Sequence, residues 1–244
     1  MRDDAASLFA SLAENAGLSL SDRQKQQFQI YDRMLAEWGG KMNLTAIRTP
    51  RGVAEKHFLD SALLLRYYDP PRGAAVIDIG TGAGFPGVPL KILRPDLKLT
   101  LLDSLQKRLV FLSALLKTLG IHAEIVHARA EEAARQKKYR LNYDFVTARA
   151  VAAMPVLCEY CLPFLARGGV FAAMKGPNAE KEMQAAMDAV KILGCSYLRE
   201  VSYFLPSGDG RSLFLIRRTD SLSSLYPRHG SKILKNPLHQ TKPK

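Results

Sequence analysis

Over the first seventy or so residues, apolar side chains recur every three to four positions; beyond Gly73 they gather instead into short β-branched runs. The first rhythm is helical, because residues three and four apart share a helix face. Ser21 with Gln24 three residues on predicts a capping-box start, after which Phe28, Tyr31, Leu35 and Trp38 carry the apolar stripe and Gly39-Gly40 is expected to end it. A second helix is predicted to open at Thr49-Pro50, to carry Phe58, Leu63, Leu64 and Leu65, and to stop at Pro70-Pro71, with Asn43-Leu44-Thr45 turn-like between the two. The second rhythm predicts strands over 75–79, 98–102, 124–127, 144–148, 170–175, 195–204 and 211–217. Helices are expected between them over 88–94, 105–119, 155–166 and 179–193. Strands alternating with helices describe a doubly wound α/β fold with a mostly parallel sheet. Only Pro206-Ser207-Gly208-Asp209-Gly210 separates the last two runs, so they should pair as an antiparallel hairpin. The expected organisation is a helical extension over 1–70, the α/β domain over 71–218 and a basic tail over 219–244.

Charge changes this picture more than composition does. At 47% hydrophobic residues, the 244-residue chain is able to bury a full core. Its 35 Lys+Arg against 23 Asp+Glu leave a net charge of +12, which favours a polyanionic partner, since neutralised phosphates release condensed counterions. Residues 217–244 hold seven Lys/Arg and one Asp, which makes the tail a candidate for RNA contact or for disorder. There is no uncharged apolar run of about 18 residues, and Met1-Arg2-Asp3-Asp4 begins no secretory signal, so a cytoplasmic protein without a membrane span is expected. Three cysteines make no disulfide framework. Cys158 and Cys161 fall on one face of a helical pattern, where core packing is favoured over a metal site, so no metal is expected.

The strongest motif runs from Val76 to Gly87, where a strand enters a glycine-rich turn and then a helix. From Gly82 through Gly84 to Gly87 it satisfies the G-x-G-x-x-G dinucleotide fingerprint, and Asp103 ends the next strand, placed to accept hydrogen bonds from ribose hydroxyls. A nicotinamide and S-adenosylmethionine both fit those features. Asp78, two residues before Gly80, favours the second, because a carboxylate there would repel a pyrophosphate. Asp78-x-Gly80-x-Gly82-x-Gly84 resembles motif I of class I methyltransferases, whose acidic residue helps hold the methionine end of the cofactor, and the terminal hairpin matches their Rossmann-like seven-stranded sheet.

The end of the fourth predicted strand reads Asp144-Phe145-Val146-Thr147-Ala148-Arg149-Ala150. It holds no Asn-Pro-Pro-Tyr for an exocyclic amine and no Pro-Cys nucleophile, and an always-protonated Arg149 is a poor general base. Such a site suits an acceptor that needs no deprotonation, such as guanine N7, with catalysis resting on positioning and electrostatics. The chain also resembles the bacterial small-subunit ribosomal RNA methyltransferase G family. The matching segments are 43–47, 57–61, 78–89, 101–108, 147–150, Lys175-Gly176 and 226–228. That resemblance implies methylation of N7 of one guanine in the decoding-centre hairpin of 16S ribosomal RNA, with naked RNA or the small subunit as partner. It also places Gly80, Phe85, Ala130, Glu131 and Arg149 at cofactor-binding positions.

Lys107, Arg108, Arg129, Lys175 and Arg211 are candidate RNA contacts, because they fall near the carboxyl edge of the sheet where ligands of open α/β folds bind. His57 and Asp60 share a helix face without a nucleophile and are assigned to structure, holding the helical extension against the domain. Nothing demands more than a monomer. Two other readings stay open on the residues alone: a nucleotide-binding oxidoreductase, and a non-catalytic RNA-binding assembly factor.

Overall fold

The structure, a computed structural model, describes residues 4–42 and 44–238. Met1 to Asp3, Asn43 of the expected turn and the end of the basic tail lie outside the described residues. A seven-stranded sheet has the order β3-β2-β1-β4-β5-β7-β6, formed by β1 (Ala75–Ile79), β2 (Lys98–Asp103), β3 (Glu124–His127), β4 (Tyr143–Arg149), β5 (Leu165–Lys175), β6 (Cys195–Phe204) and β7 (Gly210–Arg218). β1 to β5 pair in parallel, whereas β7 runs antiparallel between β5 and β6. The order reverses between β1 and β4, so their carboxyl ends open the crevice in which such sheets bind ligands.

Two hydrophobic layers cover the sheet. One is made by the helices α8 (Met154–Cys161) and α9 (Glu180–Ile192), with α7 (Ala130–Ala133) at its edge. The other combines α5 (Gly87–Leu93) and α6 (Gln106–Leu119) with the whole N-terminal extension: α1 (Ala5–Asn15), α2 (Asp22–Met42), α3 (Pro50–Val53) and α4 (Asp60–Tyr67). Phe9, Phe28 and Phe58 are fully buried there, with ring centroids 4.5–5.6 Å apart, and share one core with Leu101, Phe111 and Leu112. Each such aromatic pair contributes about 0.5–1.5 kcal/mol beyond its buried area. The extension is therefore packed as a layer of the fold.

Local sequence explains most element ends, and three differ from expectation. Ser21 and Gln24 form the capping box, with Ser21 N–H donating to Gln24 Oε1 at 2.9 Å and Gln24 N–H to Ser21 Oγ at 3.3 Å. α2, however, continues through Gly39-Gly40 to Met42, because a helix whose apolar face is buried tolerates the roughly 1 kcal/mol that a glycine costs. Thr49 caps α3 through Gly52 N–H, as its place before Pro50 predicts. Between α3 and α4, though, Ala54–Leu59 forms a π-helical turn, where a plain helix was expected. The helix expected over 155–166 ends at Cys161: a 3-10 turn takes Leu162–Phe164, and β5 starts at Leu165. Pro163 is the reason, since it has no N–H to give an α-helical ladder.

Cys158 and Cys161 lie wholly buried on α8, where burial raises both thiols. Of the basic tail, the described part is fastened to the domain. Arg228 pairs with the fully buried Glu159 at 2.7 Å, Arg140 donates to the carbonyls of Tyr226 (2.6 Å) and Ser223 (3.1 Å), and Gly230–Lys235 forms a short helix, α10. No helix among the described residues is long and apolar enough to cross a membrane.

Candidate active site

At the carboxyl end of β1 the chain turns through Gly80, Gly82 and Gly84, with φ of +67°, +61° and +101°. L-side chains avoid this region, and two of the three positions are also closed by neighbours. A Cβ on Gly84 would lie 2.6 Å from the Tyr31 hydroxyl, and one on Gly80 would lie 2.7 Å from Val151. The turn is tied to the next strand by Gly80 and Thr81 N–H groups, which donate to the Leu102 carbonyl at 2.8 and 3.1 Å.

Two carboxylates flank this turn. Asp78 is fully buried, and its Oδ2 accepts from Thr81 Oγ1 at 2.6 Å and Gly87 N–H at 2.9 Å. Its Oδ1 is buried and has no hydrogen-bond partner among the described residues. Burial pushes this carboxyl up to about 7, against the opposing pull of those hydrogen bonds and of Arg149. Asp103 ends β2, accepting from Gly82 N–H and Leu105 N–H, each at 2.9 Å. Arg108 closes over it, Nη1 to Oδ2 at 3.1 Å. Of the two first-turn cations on α6, then, Arg108 turns to the ribose-binding candidate, while Lys107 is exposed and pairs with no described acid.

These features fit an adenosyl sulfonium compound. An unpartnered buried carboxylate oxygen suits its ammonium group, and Asp103 at the strand end suits its ribose. Ala130 and the buried Glu131 sit on α7, which follows β3. The Glu131 carboxylate packs directly against Gly230 of α10. Arg129, the N-cap of α7, is exposed. Phe85 stands in a pile of rings, 5.1 Å from Tyr31 and 4.4 Å from His57 at interplanar angles of 7° and 13°.

The other half of the crest gathers around Asp60. Its Oδ1 accepts from the Tyr203 hydroxyl at 2.8 Å, and its Oδ2 accepts from Arg149 at 3.1 Å and Arg211 at 3.4 Å. Arg149 also donates to the Lys56 carbonyl at 2.9 Å, on the π-helical turn, and to His57 Nδ1 at 3.2 Å. With Nδ1 accepting, the His57 proton sits on Nε2 and is donated to Thr45 Oγ1 at 2.8 Å. Burial, and then Arg149, hold His57 down at about 3, so it is neutral at physiological pH. Ala150 follows Arg149 at φ +56°, a conformation costly for a side chain that has a Cβ.

The result is a cleft of about 290 Å³ lined by Lys56, His57, Asp60, Arg149, Lys175 and Arg211, with Ile47 and Met174 as apolar walls. Lys175 pairs with Glu182 at 2.7 Å. The structure thus brings Arg149, Lys175 and Arg211 together and leaves Lys107 and Arg129 apart from them. His57 and Asp60 do hold the extension to the sheet, as their structural assignment expected, and both also line the cleft beside Arg149. Sequence offered one signal for this, their shared helix face. Tyr203 was not singled out at all.

Comparisons with known proteins agree with this geometry. A family model described as "GidB: rRNA small subunit methyltransferase G" matches residues 24–204. A protein of Desulforamulus reducens named ribosomal RNA small subunit methyltransferase G is 43% identical over 228 residues, 93% of this chain and 95% of its own length. One of the same name from Bacillus velezensis is 45% identical over 231 residues, 94% and 96% of the two lengths. Among solved structures, a methyltransferase from Pyrococcus furiosus superposes with a TM-score of 0.56 at 15% identity, over 80% of this chain and 98% of that one. P. horikoshii TYW2 in complex with MeSAdo gives 0.53 at 12% identity, over 68% and 63%. These two likenesses show the fold; the sequence relatives, which span both halves of the crest, remove the oxidoreductase alternative. The chain belongs to the rRNA small subunit methyltransferase G family.

Proposed function

We propose that this chain transfers the methyl group of S-adenosylmethionine to N7 of a guanine in small-subunit ribosomal RNA, in the cytoplasm and as a monomer. The observation that carries the choice of acceptor atom is the absence of a working base among the described groups lining the cleft. Asp60 is occupied by three donors, and His57 accepts from an arginine and is neutral with a pKa held near 3. The guanidinium groups are already protonated and cannot take a proton. An amine or hydroxyl acceptor would need one removed, whereas guanine N7 attacks with a free lone pair.

When bound, S-adenosylmethionine supplies an electrophilic methyl on a cationic sulfur. Asp103 is placed to accept from its ribose hydroxyls once Arg108 moves aside, and Asp78 Oδ1 to accept from its ammonium. Gly80, Gly82 and Gly84 adopt the left-handed backbone that this turn requires, and at Gly80 and Gly84 a side chain would also collide with its neighbours. Arg149, locked by Lys56, His57 and Asp60, fixes the acceptor side without reorganising during the reaction. Lys175 and Arg211 line the same cleft and suit a phosphate chain; Lys107 and Arg129 extend positive charge along the exposed edge. Every residue invoked comes from one chain, which is all a monomer requires.

The test is incubation with methyl-labelled S-adenosylmethionine and either deproteinised small-subunit RNA or intact small subunits. Label should enter RNA, and cleavage chemistry specific for 7-methylguanosine should release it at one site. Label confined to protein or a small metabolite defeats the RNA reading, and RNA binding without transfer favours the assembly-factor reading. Label on another atom of the base defeats the neutral-acceptor argument.

A further inference from the structure

Beside the cleft, at the turn between β6 and β7, stands an aromatic side chain that the fold does not use. Phe204 is 76% exposed, the most exposed of the large apolar side chains that the described surface carries and the only aromatic among them. Its cross-strand partner is Gly210. A Cβ placed on Gly210 would lie 3.1 Å from Pro177 Cβ and 3.6 Å from Phe204 Cε1, so proline and ring flank one backbone position. The next residues along the chain on either side, Gly176 and Arg211, line the cleft. Lys56, another lining residue, is paired at 2.9 Å with Asp209 of the same turn. A solvent-exposed ring thus stands at the end of β6, across from Gly210, whose chain neighbour Arg211 lines the cationic cleft.

We propose that Phe204, with Pro177 beside it, is the stacking platform for the nucleotide next to the guanine held in the cleft. The inference rests on the RNA reading above. In an A-form helix N7 faces a major groove too deep and narrow for side chains, so the acceptor base must leave its stack to be reached. Its neighbour then loses a stacking face, and an exposed ring replaces that face whichever base is present. A ring in water forgoes the burial that side chains of its size favour; bound RNA supplies that burial.

The experiment compares Phe204→Ala, Phe204→Leu and Phe204→Tyr with the wild type. Initial rates are measured with labelled S-adenosylmethionine while deproteinised small-subunit RNA is titrated. Loss of one base–aromatic stack should raise the KM for RNA about tenfold or more in the Ala and Leu variants, and Tyr should stay within about twofold of wild type. Melting temperature and S-adenosylmethionine affinity should not move, because the ring packs on neither the core nor the glycine turn. An Ala variant with wild-type KM, or a Leu variant as good as Tyr, overturns the proposal. If the wild type itself leaves the RNA unlabelled, the RNA reading fails, and this inference fails with it; the two failures are distinguished by the wild-type lane.

Discussion

The two halves of the crest are assembled over very different chain distances. In the half that holds Asp78 and Asp103, the hydrogen bonds to the two carboxylates from Thr81, Gly87 and Gly82 span 3, 9 and 21 residues. In the half around Asp60, the bonds from Arg149, Tyr203 and Arg211 span 89, 143 and 151 residues. The first half is one strand–turn–helix unit with the end of the next strand. The second exists only when the N-terminal extension, β4 and the β6–β7 hairpin have all docked. Local contacts close at little entropic cost and distant ones at more. Damage to the distant half should therefore appear in folding and turnover together, whereas damage to the local half should appear in cofactor binding.

The largest effect is expected from Asp60→Ala. It strips the acceptor from Arg149, Arg211 and Tyr203 and leaves two guanidinium groups facing each other in a partly buried cleft. Removing one partner of a buried charge cluster costs about 3–5 kcal/mol. Urea unfolding should show that loss, and turnover should fall at least about a hundredfold through the misplaced arginine. Affinity for S-adenosylmethionine, read by calorimetry on the folded fraction, should hold within about threefold, a shift under 1 kcal/mol. A large loss of cofactor affinity would mean that the halves are not separable.

Gly84→Ala attacks the local half through its backbone. The residue sits at φ +101°, with the Tyr31 hydroxyl 2.6 Å and Val88 Cγ2 2.8 Å from where a Cβ would go. Left-handed strain of about 1–2 kcal/mol adds to overpacking of about 1–3 kcal/mol, so a stability loss of about 2–5 kcal/mol is expected together with weaker cofactor binding. Wild-type melting behaviour would show that the turn relaxes without cost.

The same contrast in chain distance decided what was legible in the sequence. The glycine turn, Asp78 and Asp103 were readable because their spacing is their geometry, and the strand rhythm placed all seven strands, with end errors at β2, β4, β5 and β7 only. Arg149 was legible as a strand-end residue. Its partners were not, because no periodicity within residues 50–67 reports a strand lying 89 residues away. The π-helical turn that presents the Lys56 carbonyl to Arg149 was likewise invisible, since a π turn and an α turn draw on the same residues. The ion pairs of the basic positions were hidden for a related reason. Arg108, Lys175 and Arg211 were read as candidate RNA contacts; each has an acid within reach, and Asp60 and Glu182 lie far from them in the chain or on another element.

Asp103→Ala, a smaller change, tests the cofactor half through a side chain. It removes the acceptor proposed for the ribose, a charge-assisted contact of about 1.5–3 kcal/mol, and so should weaken S-adenosylmethionine binding by roughly ten- to over a hundredfold. It also releases Arg108 and the Gly82 and Leu105 N–H groups. Asp103→Asn keeps an acceptor and should fall between Ala and wild type. Equal affinity in all three would take Asp103 out of the binding site.

The smallest expected effect separates the halves by pH alone. Around Asp60 the histidine should not titrate between pH 6 and 8, because burial and then Arg149 hold His57 near 3. With both substrates saturating, kcat should therefore be flat over that range. Asp78 differs, because burial has pushed its carboxyl up to about 7. A raised acid stabilises the empty fold in its protonated form, so that contribution is complete below about pH 4, is lost as pH rises to about 7, and is flat above it. The ionised form is the one that would receive an ammonium group. Cofactor affinity should move the opposite way, tightening about tenfold from pH 6 to pH 8, as the ionised fraction of a group with a pKa near 7 rises from about a tenth to about nine-tenths. Calorimetric titrations at the two pH values, on the wild type and on Asp78→Asn, measure this directly. The Asn variant should lose the pH dependence of binding and the part of the stability profile that Asp78 contributes. If the wild type binds equally at pH 6 and 8 while kcat changes, the titrating group belongs to the Asp60 half, and the roles assigned to the two carboxylates are reversed.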